Sequence, residues 1–128
     1  MTKRVLVVDD SMLMRRMIGD SLTDDGWEVA GEAAAGDEAV TLYQTLRPDA
    51  VTMDIVMPGT SGIEALETIL KHDSRAKVVV VSALNQTRLI SDAIRKGAQD
   101  FIAKPFLPEQ LQETMNRCLD QTSGCRGS

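Results

Sequence analysis

Three short apolar runs, each rich in valine, stand out along the chain. They lie at Val5 to Val8, Ala50 to Met53 and Val78 to Val81. Runs that are apolar at every position and too short for an ordinary helix are typical of parallel strands buried on both faces. Glu28 to Gly31 and Phe101 to Ala103 are weaker candidates for two more strands. The pattern therefore predicts a buried five-stranded sheet.

The segments between these runs have helical spacing, as in Ala39, Val40, Tyr43 and Leu46. Start and stop residues place a first helix from Ser11 to Gly26, a third from Gly62 to His72, the end of a fourth at Gly97 and the start of a fifth at Pro108. Strands that alternate with helices predict an α/β fold, a single doubly wound (βα)5 domain with a parallel sheet and right-handed crossovers.

Two side-chain placements follow from the same periodicity. Met12, Met14 and Met17 lie at helical spacing, and methionines in such a pattern usually fill a core, so we expect Met17 inside and leave Met12 open. Cys118 lies on an apolar helix stripe and is predicted to be a buried thiol.

We expect the folded domain to span 1–121 and residues 122–128 to form a disordered tail.

Composition narrows the class of protein. The 128 residues carry a net charge of −5, which argues against a nucleic-acid or membrane surface as the main partner. No apolar stretch approaches the ~18 residues of a membrane span, and no signal peptide is evident. Two cysteines cannot build a disulfide framework. We expect a cytoplasmic protein.

Polar residues follow four of the predicted strands. Asp9 and Asp10 follow the first, Asp54 the third, Ser82 the fourth and Lys104 the fifth. Ligands of doubly wound folds bind at the carboxyl edge of the sheet, so these side chains are expected to converge in one crevice.

Three neighbouring carboxylates repel one another, by about 4 kcal/mol for a pair at ~4 Å and an effective dielectric near 20. A hard divalent cation relieves this at neutral pH, and Mg²⁺ suits carboxylate ligands. Lys104 and Ser82 would add an ammonium and a hydroxyl that suit a phosphoryl group. Asp54, at the centre, is then the candidate nucleophile that forms an acyl phosphate.

The arrangement of these residues resembles that in the receiver domains of response regulators in two-component signalling. The matching stretches are VVDDS (7–11), MDIVMPGTSG (53–62), VVSA (80–83) and GAQDFIAKPF (97–106). The resemblance as a whole covers residues 4 to 120. Within the family the chain looks most like the stand-alone chemotaxis regulators. The resemblance implies the flavodoxin-like strand order 2-1-3-4-5.

The resemblance also assigns metal and acceptor roles. Asp54 matches the phosphoacceptor, and Asp9 and Asp10 match the acidic pair that organises Mg²⁺. The backbone carbonyl of Val56 matches a further metal ligand.

The switch residues follow from the same likeness. Ser82 matches the hydroxyl that moves on phosphorylation, and Phe101 matches the aromatic switch position. Lys104 matches the lysine of the motif, and its bond to Pro105 is expected to be cis. Val56 and Leu84 are apolar two residues after Asp54 and Ser82, so neither can orient a water, which predicts a long-lived phosphoryl group.

These roles imply a signalling protein rather than an enzyme. The expected phosphodonor is a histidine kinase, and the expected output is a protein such as a flagellar-motor switch component that binds the face made by the fourth helix, fifth strand and fifth helix. We expect a monomer or weak dimer. A phosphorelay intermediate or an adaptor outside chemotaxis remains an alternative.

Two other classes are weighed against it. An aspartyl-phosphate phosphatase would need a second acid two residues after its nucleophile, where Val56 stands. A flavin-binding module would need a phosphate loop rich in glycine, serine or threonine after the first strand, where the chain has carboxylates.

Overall fold

The structure is a computed structural model that describes residues 2–57, 59, 61–83 and 85–120. Five strands and five helices alternate along this part of the chain. The strands are β1 (Lys3–Val8), β2 (Trp27–Ala33), β3 (Ala50–Asp54), β4 (Val78–Ala83) and β5 (Asp100–Lys104). The helices are α1 (Met12–Thr23), α2 (Gly36–Leu46), α3 (Gly62–His72), α4 (Thr87–Arg95) and α5 (Pro108–Asp120).

The five strands form one parallel sheet in the order β2-β1-β3-β4-β5. The predicted fold class and strand order are therefore confirmed. The order reverses direction beside β1 and β3, so the carboxyl ends of these two strands border the crevice where the helices leave opposite faces of the sheet.

Alternate residues of each central strand supply two separate apolar layers. In β1, Val5 and Val7 face the layer that contains α1 and α5, whereas Leu6 and Val8 face the layer that contains α2, α3 and α4. Because both faces are covered, the central strands are apolar at nearly every position. This is the physical reason why valine runs predicted them.

All five strands are longer than predicted, and the two edge strands are extended at both ends. β2 extends to Trp27 and Ala33, and β5 extends to Asp100 and Lys104. Both have exposed or half-buried positions along their length. An edge strand that is only partly covered tolerates polar residues, so exposed and half-buried positions interrupt the apolar run that would mark its full length.

Most helix limits agree with the sequence. Helix α3 spans the predicted residues, and its first turn is closed by a capping box in which Ser61 and Glu64 bond each other's backbone amides. Helix α5 begins at Pro108 as predicted. Helix α1 ends at Thr23 rather than at Gly26, because a turn follows in which Gly26 takes the positive φ of 89°. None of the helices in the described residues combines the length and apolar character that a membrane crossing requires.

The side-chain predictions had mixed outcomes. Met17 was predicted wrongly, since its side chain is 46% exposed and the buried face of α1 is made by Ile18 and Leu22. Cys118 is buried as predicted, and burial raises the pKa of its thiol to about 11. The predicted tail, residues 122–128, lies outside the described residues.

Candidate functional site

The carboxyl edge of the sheet brings together charged side chains from three strands. Asp9 and Asp10 follow β1, Asp54 ends β3 and Lys104 ends β5. Oxygen atoms from the three aspartates lie within 4.8 Å of one another. Strand ends that are far apart in sequence thus supply one cluster, as the sequence predicted.

Asp9 is the most buried of the three acids, with 1% of its surface exposed. Its backbone amide donates to Ala33 on β2 at 3.0 Å, which continues the pairing of β1 with β2. One carboxylate oxygen accepts from the Ser11 amide at 2.9 Å, and the Arg15 guanidinium donates to the Asp9 carbonyl at 2.8 Å. The start of α1 therefore fixes the orientation of Asp9.

Lys104 links two of the acids. Its ammonium donates to Asp9 at 3.0 Å and lies 3.7 Å from the carboxylate of Asp54. The Lys104–Pro105 bond is cis, as expected. One lysine beside three carboxylates leaves the cluster with an excess of negative charge.

The crowding of negative charge affects the pKa of Asp54. Burial raises the pKa of the Asp54 carboxyl to about 6, and the nearby charges of Asp9 and Asp10 push in the same direction. The Lys104 ammonium and the backbone amide of Val56 oppose that shift. The site is therefore short of positive charge near neutral pH.

The donor set fits a hard divalent cation. Three carboxylates supply only oxygen ligands, and Asp10 is exposed, which leaves the cluster open to solvent on one side. Mg²⁺ prefers such oxygen ligands and keeps several waters. The aspartates could hold Mg²⁺, and the cation would offset the repulsion that raises the Asp54 pKa.

A glycine that the sequence predicted only as a helix start lies directly against the backbone of Asp54 and Ile55. The amide of Gly62 donates to the carbonyl of Ile55 at 2.9 Å. A Cβ on Gly62 would lie 2.0 Å from the carbonyl oxygen of Asp54, so no larger residue fits without a backbone shift. Its position directly after the Ser61 cap was the available sequence signal.

Ser82 lies at the same edge, but its hydroxyl makes no hydrogen bond to the aspartates in the part of the chain that the structure describes. Its hydroxyl donates to the side-chain carbonyl of Gln86, which also accepts from the amide of Ala83 at 3.1 Å. The sequence reasoning missed Gln86, because no motif marks a residue whose role depends on the shape of the turn before α4.

Val56 and Phe101 are the two remaining predicted residues that the structure describes. Val56 is 50% exposed, and its backbone amide bonds Asp54, while the metal-ligand role of its carbonyl stays a prediction. Phe101 is 42% exposed and lines grooves on both sides of β5, one toward α4 and one toward α5. Leu84 lies outside the described residues.

Comparison with known proteins identifies the family. The model of the response regulator receiver domain matches residues 5–116. The chain belongs to this family. The predicted resemblance is thereby confirmed. Receiver domains bind Mg²⁺ at an acidic pocket, and the aspartate cluster of this chain could hold a metal ion.

Individual relatives agree with the receiver assignment. Chemotaxis protein CheY of Thermotoga maritima is 51% identical over 117 residues, which cover 91% of this chain and 98% of that protein. The response regulator domain of Thermotoga maritima CheB has a TM-score of 0.88 at 36% identity and covers 95% of this chain and 99% of its own. A chain of the CheX-CheY-BeF3-Mg complex from Borrelia burgdorferi has a TM-score of 0.84 at 37% identity, with 90% and 88% covered.

Proposed function

We propose that this receiver accepts a phosphoryl group on Asp54 from a histidine kinase and passes the signal to a protein partner in chemotaxis or motility. The observation that carries the proposal is the arrangement around Asp54, where Lys104 lies 3.7 Å from its carboxylate and two further acids complete the cluster. Three clustered acids alone would suit an ion, whereas the added lysine suits an incoming phosphoryl group.

The transfer forms one bond and breaks another. A carboxylate oxygen of Asp54 attacks the phosphorus of a phosphohistidine, the P–N bond breaks, and its electron pair leaves with the imidazole of the kinase. Lys104 stabilises negative charge on the phosphoryl oxygens. Asp9, Asp10, Asp54 and the Val56 carbonyl would hold Mg²⁺, which would supply the further positive charge that this chemistry needs.

The signal leaves the site through Ser82 and Phe101. The Ser82 hydroxyl turns to donate to the new phosphoryl group, and the half-exposed ring of Phe101 moves inward. This shift of a pre-existing equilibrium alters the face made by α4, β5 and α5. Phosphorylation therefore changes a surface that a partner recognises.

In this proposal the protein carries a signal and is not an enzyme that acts on a small substrate. It works in the cytoplasm, as a monomer or weak dimer, and its output partner is a component such as a flagellar-motor switch protein. The high identity to CheY favours chemotaxis over an adaptor or relay role outside it. CheX, which accompanies CheY in the Borrelia complex, marks a second class of partner to test.

Labelling tests the acceptor. The wild type incubated with ³²P-acetyl phosphate and Mg²⁺ should incorporate label, and Asp54→Asn should not. Asp20→Asn, which alters an exposed aspartate on α1, is the matched control and should label like the wild type. Equal labelling of Asp54→Asn and the wild type would exclude Asp54 as the acceptor.

Binding tests the output. A purified flagellar-motor switch component should bind more tightly when the receiver carries beryllofluoride and Mg²⁺, and Phe101→Ala should reduce that gain. A partner affinity that is the same with and without beryllofluoride would refute the assigned output.

A further inference from the structure

The side chain of Gln86 connects the end of β4 to the start of α4. Gln86 is the residue directly before α4, yet its side chain makes no capping bond to the amides of that helix. Instead its carbonyl oxygen accepts from the Ser82 hydroxyl and from the Ala83 amide, the latter at 3.1 Å. A residue placed to cap a helix has its side chain turned back to the strand.

This contact constrains where the Ser82 proton goes. A serine hydroxyl has one proton to donate, and Ser82 is buried, with 1% of its surface exposed. The only other contact of its oxygen in the described residues is a 3.3 Å approach to the Ala83 carbonyl. While the Ser82 hydroxyl donates its hydrogen bond to Gln86, it cannot donate one toward Asp54.

We propose that Gln86 is a positioning residue that holds the Ser82 hydroxyl at the start of α4 in the unphosphorylated protein. The inference rests on the proposed function, because it concerns the motion of Ser82 toward a phosphoryl group on Asp54. When the Ser82 hydroxyl donates instead to a phosphoryl oxygen, Gln86 keeps only the hydrogen bond from the Ala83 amide. The first turn of α4 is then the first element to sense the change.

The chemistry of the acceptor separates this role from a purely structural one. Gln86→Met keeps the length of the side chain but removes the acceptor. Gln86→Glu keeps an acceptor for both Ser82 and Ala83, and its charge strengthens those hydrogen bonds. The two variants should therefore differ in direction. Gln44→Met, on an exposed position of α2, is the matched control for the same substitution.

The first measurement is the rate constant of labelling by ³²P-acetyl phosphate with Mg²⁺. Gln86→Met should label faster by roughly fivefold, because losing one hydrogen bond that favours the unswitched position shifts the equilibrium by about that factor. Gln86→Glu should label no faster than the wild type, and Gln44→Met should equal it. A Gln86→Met rate equal to or below that of the wild type would overturn the proposal.

The second measurement is hydrogen exchange at the Ala83 amide in the unphosphorylated protein. Exchange should be faster in Gln86→Met and unchanged or slower in Gln86→Glu. If it is faster while labelling is unchanged, the contact exists but does not position Ser82, so the inference fails and the proposed function stands. Absence of labelling in the wild type would instead refute the proposed function and the inference with it. If circular dichroism shows that Gln86→Met is unfolded, Gln86→Ala replaces it with the same expected outcomes.

Discussion

At the scale of single residues, the carboxylate of Asp54 destabilises the metal-free fold at neutral pH. The pKa of Asp54 is about 6 in the folded protein and ~3.9 in an unfolded chain, so folding favours the protonated form. The fold therefore has its full stability below pH ~4, where Asp54 is protonated in both states, and loses stability as the pH rises through about 6. Asp54→Asn, measured by urea unfolding in EDTA, should raise the free energy of unfolding at pH 7 by about 2 kcal/mol. The difference should vanish near pH 4.

Asp20→Asn provides the comparison for this experiment. Asp20 is exposed on α1, and removal of an exposed charge usually changes stability by less than about 0.5 kcal/mol. If Asp54→Asn is no more stable than Asp20→Asn at pH 7, charge crowding does not control the stability of the site.

A second prediction at this scale concerns the lifetime of the phosphoryl group. The Val56 side chain is half exposed beside Asp54 and offers no polar group to orient an attacking water. Val56→Asn should shorten the half-life of the labelled protein by roughly fivefold, the effect of about one net hydrogen bond on a barrier. Label decay after removal of the phosphodonor measures it.

Met17→Asn makes the same kind of change at a site of similar exposure on α1, 46% against 50% for Val56. Its half-life should match that of the wild type. A half-life of Val56→Asn that is equal to or longer than that of Met17→Asn contradicts the prediction.

At the scale of elements, the junction of β3 and α3 determines where Asp54 lies. A Cβ on Gly62 would meet the Asp54 carbonyl oxygen at 2.0 Å and the Ile55 Cα at 2.8 Å. Gly62→Ala should therefore lower the free energy of unfolding by at least about 2 kcal/mol and slow labelling of Asp54. Thermal unfolding and the labelling rate measure the two effects.

Gly19→Ala is the matched control, since Gly19 lies inside α1 and a Cβ there would meet only the Val29 side chain at an ordinary 3.5 Å. Alanine is the better helix former by about 1 kcal/mol, so this variant should be as stable as the wild type or more stable. Equal stability of Gly62→Ala and Gly19→Ala would show that the junction tolerates a side chain.

The elements also show which parts of the fold the sequence could predict. The runs in β1, β3 and β4 were found because strands buried on both faces must be apolar throughout. The ends of β2 and β5 were missed because edge strands mix exposed and buried positions. Met17 was misplaced because helical spacing alone does not say which stripe of α1 faces the sheet.

The functional site likewise contains residues that the sequence predicted and one that it missed. Asp9, Asp10, Asp54 and Lys104 converge because parallel strands end at one edge, which is a property of topology that the sequence pattern carries. Gln86 was missed because its contact with Ser82 depends on the path of the chain between β4 and α4. A strand pattern predicts which residues reach the edge but not how turn residues pair there.

At the scale of the whole molecule, the site is tied to global stability. The three aspartates come from β1 and β3 at the middle of the sheet, so an unfolded chain cannot bring them together. A ligand that binds only the folded state stabilises it by RT ln(1 + [L]/Kd), about 1.4 kcal/mol at ten times Kd. Mg²⁺ should therefore raise the melting temperature of the wild type, measured by calorimetry against NaCl of equal ionic strength.

This stabilisation should depend on pH and on the triad. Protons compete with Mg²⁺ for Asp54, so the rise in melting temperature should shrink as the pH falls below about 6. It should be lost in Asp9→Asn and kept in Asp20→Asn, because both variants remove one charge from a protein of net charge −5 but only Asp9 belongs to the cluster. An equal effect of Mg²⁺ on these two variants would mean that the cation acts through the overall negative charge of the molecule and not through a site at the carboxyl edge of the sheet.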